Sequence, residues 1–445
     1  MNRGLSWFGI VRLGLVQTAL GAIVVLTTAT LNRVMVVELA LPAVLPAALV
    51  GLYYAVQLAR PRWGFGSDVG GSRTPWIIGG MAVLAASGSL AAVATAWMAT
   101  APIPGLILSV IAFLFIGAGV GAAGTSLLAL LATAVAPQRR AAAASITWMM
   151  MIAGFVVTTA TAGALLDPFS YGRLVLVTSG VSLIAFLLAT VAVAGIERRA
   201  AQMKKPTAPE EKPAFAVALR EVWAEPKARR FTLFVFLSML AYSMQDLILE
   251  PFAGLVFGMT PGESTKLASL QHSGVFAGMV LVALAGSRFA AARFGSRQDW
   301  VIGGCIGSAL ALLLLVAGGL VGQTWPLKAS VFLLGLANGA FAVAAIGTMM
   351  GLASEGRESR EGMRMGLWGA AQAIAFGVGG IAGAGALDVM RLLVSDTGTA
   401  FAAVFALEAG LFLVAALMAR SLQRNDSAEP TPIDSNATRP LAPAE

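Results

Sequence analysis

Twelve stretches of this chain stay apolar for about as long as a bilayer is thick, a crossing that takes roughly 20 helical residues. They lie near residues 13–37, 42–59, 76–98, 104–134, 143–165, 174–195, 231–257, 266–286, 300–321, 326–350, 365–387 and 399–419. Lipid offers no partner for backbone N–H and C=O groups, so spans of this kind pair them internally as helices. Composition agrees. Hydrophobic residues make up 58% of the chain and charged residues 12%, against about 25% charged in soluble domains. The reading is an all-α membrane protein with twelve transmembrane helices, its first partner the lipid bilayer.

Several chemistries are excluded at once. The single cysteine, Cys305, forms no internal disulfide and no cysteine metal cluster, and the single histidine, His272, forms no histidine cage. No Ser/His/Asp set and no phosphate loop is present, so no enzymatic activity is expected. The first apolar run is too long for a cleavable signal peptide. The formal charge of +8 reports topology in such a chain, not nucleic acid.

With the N-terminus in the cytoplasm, 25 of the 30 Lys and Arg fall on the cytoplasmic side. That bias predicts both termini inside. The one long loop, 196–230, holds nine basic and five acidic residues and splits the spans into two groups of six. The expected organisation is a six-helix half (1–195), a cytoplasmic linker (196–230), a second six-helix half (231–420) and a disordered tail (421–445). Residues 214–224 read either as an amphipathic surface helix or as solvated linker. The glycine-rich run Gly117–Gly124 predicts close helix approach.

Six plus six spans around a basic loop is the layout of the major facilitator superfamily. The loop after span 2 resembles that superfamily's signature G-x-x-x-D-R-x-G-x-R through Gly64, Asp68, Gly71 and Arg73, with Val69 where a basic residue is usual. The corresponding loop of the second half, Gly286 to Arg297, keeps the basic residues and a glycine but lacks the acid.

Longer stretches are more specific. Leu31–Leu39 (LNRVMVVEL), Met244–Phe252 (MQDLILEPF), Gly366–Gly380 and Arg12–Gly21 together resemble the PucC/LhaA branch of purple phototrophic bacteria. Phe252-Ala253 departs from the Tyr-Gly more common there. The resemblance implies a light-harvesting assembly factor in the bacterial inner (intracytoplasmic) membrane. Its implied ligand is bacteriochlorophyll or a precursor, held without a covalent bond. Its implied partners are antenna polypeptides and pigment-synthesis enzymes. The alternative is a proton-coupled transporter of a small amphiphile.

Candidate residues follow, each with a plainer alternative. An acid in an apolar span costs about 2.5–3.5 kcal/mol on insertion scales and so has a partner or a task. Span 7 carries Gln245, Asp246 and Glu250 before Pro251, and span 1 ends on Asn32, Arg33 and Glu38. In the superfamily that the chain resembles, these spans face each other. Arg33 is therefore expected to pair with Asp246 or Glu250 near the periplasmic surface and close that side. The rival partner is Glu38, five residues on and poorly placed on an α-helical face; span 7's acids also read as an ordinary helix cap. His272 is a candidate axial ligand for a pigment's magnesium, or else a hydrogen-bonded interfacial histidine. Trp368 and Gln372, four apart, are candidates to stack on and hydrogen-bond a chlorin, or else pack. Asn338 and Glu408 are further intramembrane polar groups. Met149–Met151 read as packing.

Overall fold

The computed structural model describes residues 4–60, 63, 72–197, 223–285, 297–354 and 361–428. The described residues are almost wholly helical. In order the helices are α1 (Trp7–Glu38), α2 (Val44–Gln57), α3 (Thr74–Met98), α4 (Pro102–Ala134), α5 (Arg140–Leu165) and α6 (Tyr171–Val193). Then come α7 (Pro226–Met244 and Leu249–Phe257, joined by a 3-10 turn at Gln245–Leu247), α8 (Pro261–Ala285), α9 (Arg297–Val321), α10 (Leu327–Ser354), α11 (Glu361–Leu393) and α12 (Thr397–Ala428). Eleven are long and apolar enough to cross a membrane, and α2 is a shorter apolar helix of 14 residues. The described start of α1 and end of α12 lie at one end of the bundle, called here the terminal end. The opposite end is the far end.

Local chemistry sets many boundaries. Pro stands in the first turn of α3, α4 and α7, where a missing N–H costs nothing. Ser6 and Ser170 cap α1 and α6 by accepting from Gly9 and Arg173 backbone N–H groups. Thr260 and Glu263 form a reciprocal box at the start of α8: the Thr260 hydroxyl accepts from the Glu263 N–H at 3.1 Å, and the Glu263 carboxylate from the Thr260 N–H at 2.9 Å. Gly258, at φ 68°, ends α7 in the left-handed conformation that other residues avoid.

Packing within each half relies on close backbone approach. On α8 and α10, Gly274, Gly278, Gly335 and Gly339 face one another, and a Cβ on any of them would run into the partner helix's backbone. Without hydrophobic drive between helices in lipid, such contact is what holds them. In α4, Gly117 lies on the Tyr53 backbone and Gly119 on Gly80 and Leu84 of α3, as the glycine-rich run predicts. Between the halves, α5 packs on α8 and α2 on α11, while α1 meets α7 at the far end.

Two ends differ from expectation. α12 runs on to Ala428, seven residues past the expected start of a disordered tail at 421. α7 begins at Pro226, inside the stretch assigned to the linker. Most of that linker (198–222), with nearly all of the surface helix expected at 214–224, lies outside the described residues, as do the loop residues 286–296 and the tail 429–445.

Candidate functional site at the junction of the halves

α1 is irregular where it faces the other half. Leu26–Thr30 and Val34–Glu38 are π-helical turns, closed by the Leu31 N–H on the Leu26 carbonyl and the Leu39 N–H on the Val34 carbonyl. Opposite, α7 tightens into its 3-10 turn. The Leu247 carbonyl would find its helical donor at residue 251, but Pro251 has no N–H. Asn32 supplies the missing bond from the other half, its side-chain amide donating to the Leu247 carbonyl at 2.7 Å. The Thr30 and Thr265 hydroxyls meet beside it at 3.2 Å. Irregular backbone at membrane depth persists only inside protein or along a cavity, and discontinuous helices at the repeat interface are where many transporters bind their cargo.

The expected pairing of Arg33 with Asp246 or Glu250 is corrected. The Arg33 guanidinium, 1% exposed, bonds Glu38 at 2.5 Å and donates to the Met259 carbonyl of the other half at 2.6 Å. The π turn explains why: i→i+5 winding brings residues five apart onto one face, so the spacing that disfavours Glu38 on an α-helix selects it here. Glu250 feels the Arg33 charge without contact and accepts from the Ser264 hydroxyl at 3.4 Å. Several buried polar atoms nearby have no protein partner: Asn32 Oδ1, Arg33 Nε, both amide atoms of Gln245, and Glu250 Oε1.

Asp246 lies deeper than expected. Eleven residues separate it from the end of α7 at Phe257, roughly 17 Å along the axis. Its electrostatic neighbours are Tyr54 of α2, Tyr242 of α7 and Glu408 of α12. Phe376 of α11 joins the two tyrosines, its ring 5.9 Å from Tyr54 and 5.8 Å from Tyr242. Glu408 is fully buried, and neither carboxyl oxygen has a partner. Sequence reasoning missed Tyr54, Tyr242 and Phe376. The available signal was that the chain has only four tyrosines, three of them inside spans.

The three pigment candidates do not share contacts. His272 of α8 is half-buried against Phe155 of α5, ring centroids 5.0 Å apart, beside a cluster of Met149, Met151, Ile152, Val275, Phe276 and Met279. Trp368 is buried edge-on to Phe231 at 4.8 Å, its indole nitrogen without a partner. The Gln372 amide faces the Met239 sulfur at 3.8 Å. His272 thus sits on the α5–α8 seam, and Trp368 and Gln372 between α7 and α11. Asn338 accepts from the Ser308 hydroxyl at 2.7 Å and belongs to packing within the second half. Met151 offers its sulfur to the Gln17 amide at 3.2 Å.

Of the signature loop, Gly64, Asp68 and Gly71 lie outside the described residues. Arg73 holds the Ala129 carbonyl at 2.5 Å and the Thr133 hydroxyl at 2.6 Å. At the start of α3, Glu197 accepts from the Arg73 and Thr74 backbone N–H groups at 2.6 and 2.9 Å, and from the Ser72 and Thr74 hydroxyls. Partial burial raises its carboxyl's pKa, but these bonds outweigh it and hold the group below the ordinary glutamate value.

The fold is that of solved transporters. A bacterial homologue of the human lysosomal transporter Spinster, in an inward-facing and unoccupied conformation, superposes with a TM-score of 0.66 at 14% identity, covering 97% of this chain and 100% of that one. Among sequences, a Rhodobacter capsulatus protein named bacteriochlorophyll synthase 44.5 kDa chain is 58% identical over 416 residues, 93% of this chain and 95% of that relative. Protein PucC of Rhodobacter capsulatus is 30% identical, covering 91% and 90%. The profile of the PUCC protein family matches residues 30–427. The chain belongs to the PucC family, on a major facilitator fold.

Proposed function

We propose that this protein is an assembly factor for photosynthetic light-harvesting complexes, which binds bacteriochlorophyll or a precursor as cargo and hands it to antenna polypeptides. The observation that carries this reading is likeness over nearly the whole chain to a relative named for bacteriochlorophyll synthesis, on a fold of two packed six-helix halves. The same name suggests an enzyme. Among the described residues, the groups at the junction are carboxyls, amides, hydroxyls, aromatic rings and the Arg33 guanidinium, with no hydroxyl set against an imidazole base, which supports carriage over catalysis. We place the protein in the bacterial inner (intracytoplasmic) membrane with both termini cytoplasmic, on the Lys and Arg bias.

His272 is the best-supported contact for the cargo. Among the described residues its imidazole has a ring neighbour and no hydrogen-bond partner, and methionine and phenylalanine side chains beside it suit a flat apolar macrocycle. Protein purified gently from a phototrophic host should carry a near-infrared pigment band in constant ratio to protein. His272→Phe should remove that band while the protein stays inserted. A pigment-free wild type would sink the reading, and a His272→Phe variant with full pigment would acquit His272 alone. The rival reading, a proton-coupled transporter of a small amphiphile, is favoured by the neighbouring carboxyls Asp246 and Glu408. Asp246→Asn would then abolish proton-driven uptake in vesicles.

A further inference from the structure

The start of α2 cannot cap itself. A helix leaves its first four N–H groups without internal partners, and residues Leu39–Ala43 offer no Ser, Thr, Asn or Asp side chain to receive them. The cap arrives from the other half. Asp388, near the end of α11, accepts from the backbone N–H groups of Ala43 at 2.9 Å and Val44 at 2.8 Å. A carboxylate placed there also meets the positive end of the helix dipole.

A related arrangement stands on the opposite seam, through a hydroxyl in place of backbone N–H groups. Asp167, just past the end of α5, accepts from the hydroxyl of Thr260, the capping residue of α8, at 2.8 Å. Lys266 of α8 stands 3.8 Å from the same carboxylate, an exposed pair of small weight. Gly262 in the first turn of α8 is so close to Asp167 that a Cβ there would strike the carboxylate. In each half α2 and α8 are the second helix, and α5 and α11 the fifth. One acid after a fifth helix and one at the end of the other therefore each sit on the start of the opposite half's second helix, along the two seams where the halves pack.

We propose that Asp388 and Asp167 are a pseudo-symmetric pair of clasps that hold the far end shut, and that opening it requires both to let go. The central contacts, Asn32 on Leu247 and Arg33 on Met259, lie between them on the first and seventh helices. The proposal holds whether the cargo is a pigment or another amphiphile.

Distances between spin labels test it. Gly172 at the start of α6 and Lys328 at the start of α10 are exposed, one in each half. Both are replaced by Cys and labelled in otherwise full-length protein in nanodiscs; the native Cys305 is buried and escapes the label. Asp388→Ala should raise the ratio of long to short distances about fivefold, as expected for the loss of one cap; Asp167→Ala, which removes the bond from the Thr260 hydroxyl, should raise it in the same direction, and the double variant further. Asp396→Ala is the control. It removes an acid at the same end that caps only α12, through Thr399, and should leave the distribution unchanged. Should an alanine variant fail to fold, Asp388→Asn and Asp167→Asn keep an acceptor oxygen and should shift the ratio the same way by less. Wild-type distances in the double variant or in the Asn pair, or an equal shift from Asp396→Ala, would overturn the proposal.

Discussion

Arg33 shows how a single backbone irregularity redirects a charge. Its partner was legible only as a short choice of acids. The winner depends on π turns, which leave no mark on the apolar pattern because a one-residue bulge changes hydrogen bonding without changing residue type. With Glu38 neutralised, the buried guanidinium keeps only the Met259 carbonyl. Glu38→Gln should therefore cost about 1–3 kcal/mol, read as a lower unfolding temperature in detergent. Glu197 offers a pH signature. Its carboxyl titrates below the ordinary value of 4.5, so the stability it contributes is present above that pH and is lost as pH falls through the lower folded value. The stability gap between wild type and Glu197→Gln should be full at pH 7 and close below about pH 4.5; a gap that persists in acid would show that charge is not its source. Tyr54, Tyr242 and Phe376 were missed for a plain reason: aromatic residues in apolar spans look alike until three helices bring them around one carboxyl.

At the scale of elements, composition said more. Twelve apolar runs correspond to twelve helices, because length and hydropathy decide what a bilayer admits. The Gly117–Gly124 run was read as close packing, and its Gly117 and Gly119 do lie on neighbouring backbones. The ends of α7 and α12 were less legible, since helices extend past the apolar stretch wherever polar residues still favour the conformation. The α8–α10 contact makes a sharp prediction. Gly339→Leu would force a side chain into the α8 backbone, and overpacking of this kind costs about 3 kcal/mol or more. Its yield of monodisperse protein should collapse on size exclusion. Gly303→Leu, at an exposed position with open space around it, should purify as wild type does.

The whole molecule is two six-helix halves joined along two seams, and the orientation proposed for it rests on the Lys and Arg bias. Reporter fusions near Lys205, within 163–173 and within 387–398 check that orientation. The first should report cytoplasm and the other two periplasm, and periplasmic activity at Lys205 would reverse the assignment. That the halves meet through α1 and α7 could be anticipated from the family resemblance. That Asp388 completes α2 could not, because a carboxylate and the amides it receives stand 344 and 345 residues apart and nothing local links them. That separation is also a delay. A ribosome adding about 5–20 residues per second needs roughly 17–70 s to reach Asp388 after Ala43 has been made. For that interval the first half sits in the membrane with the start of α2 bare, its N–H groups turned to water or to whichever insertion helper attends it. The newborn chain thus carries, for that interval, bare N–H groups that the finished protein caps.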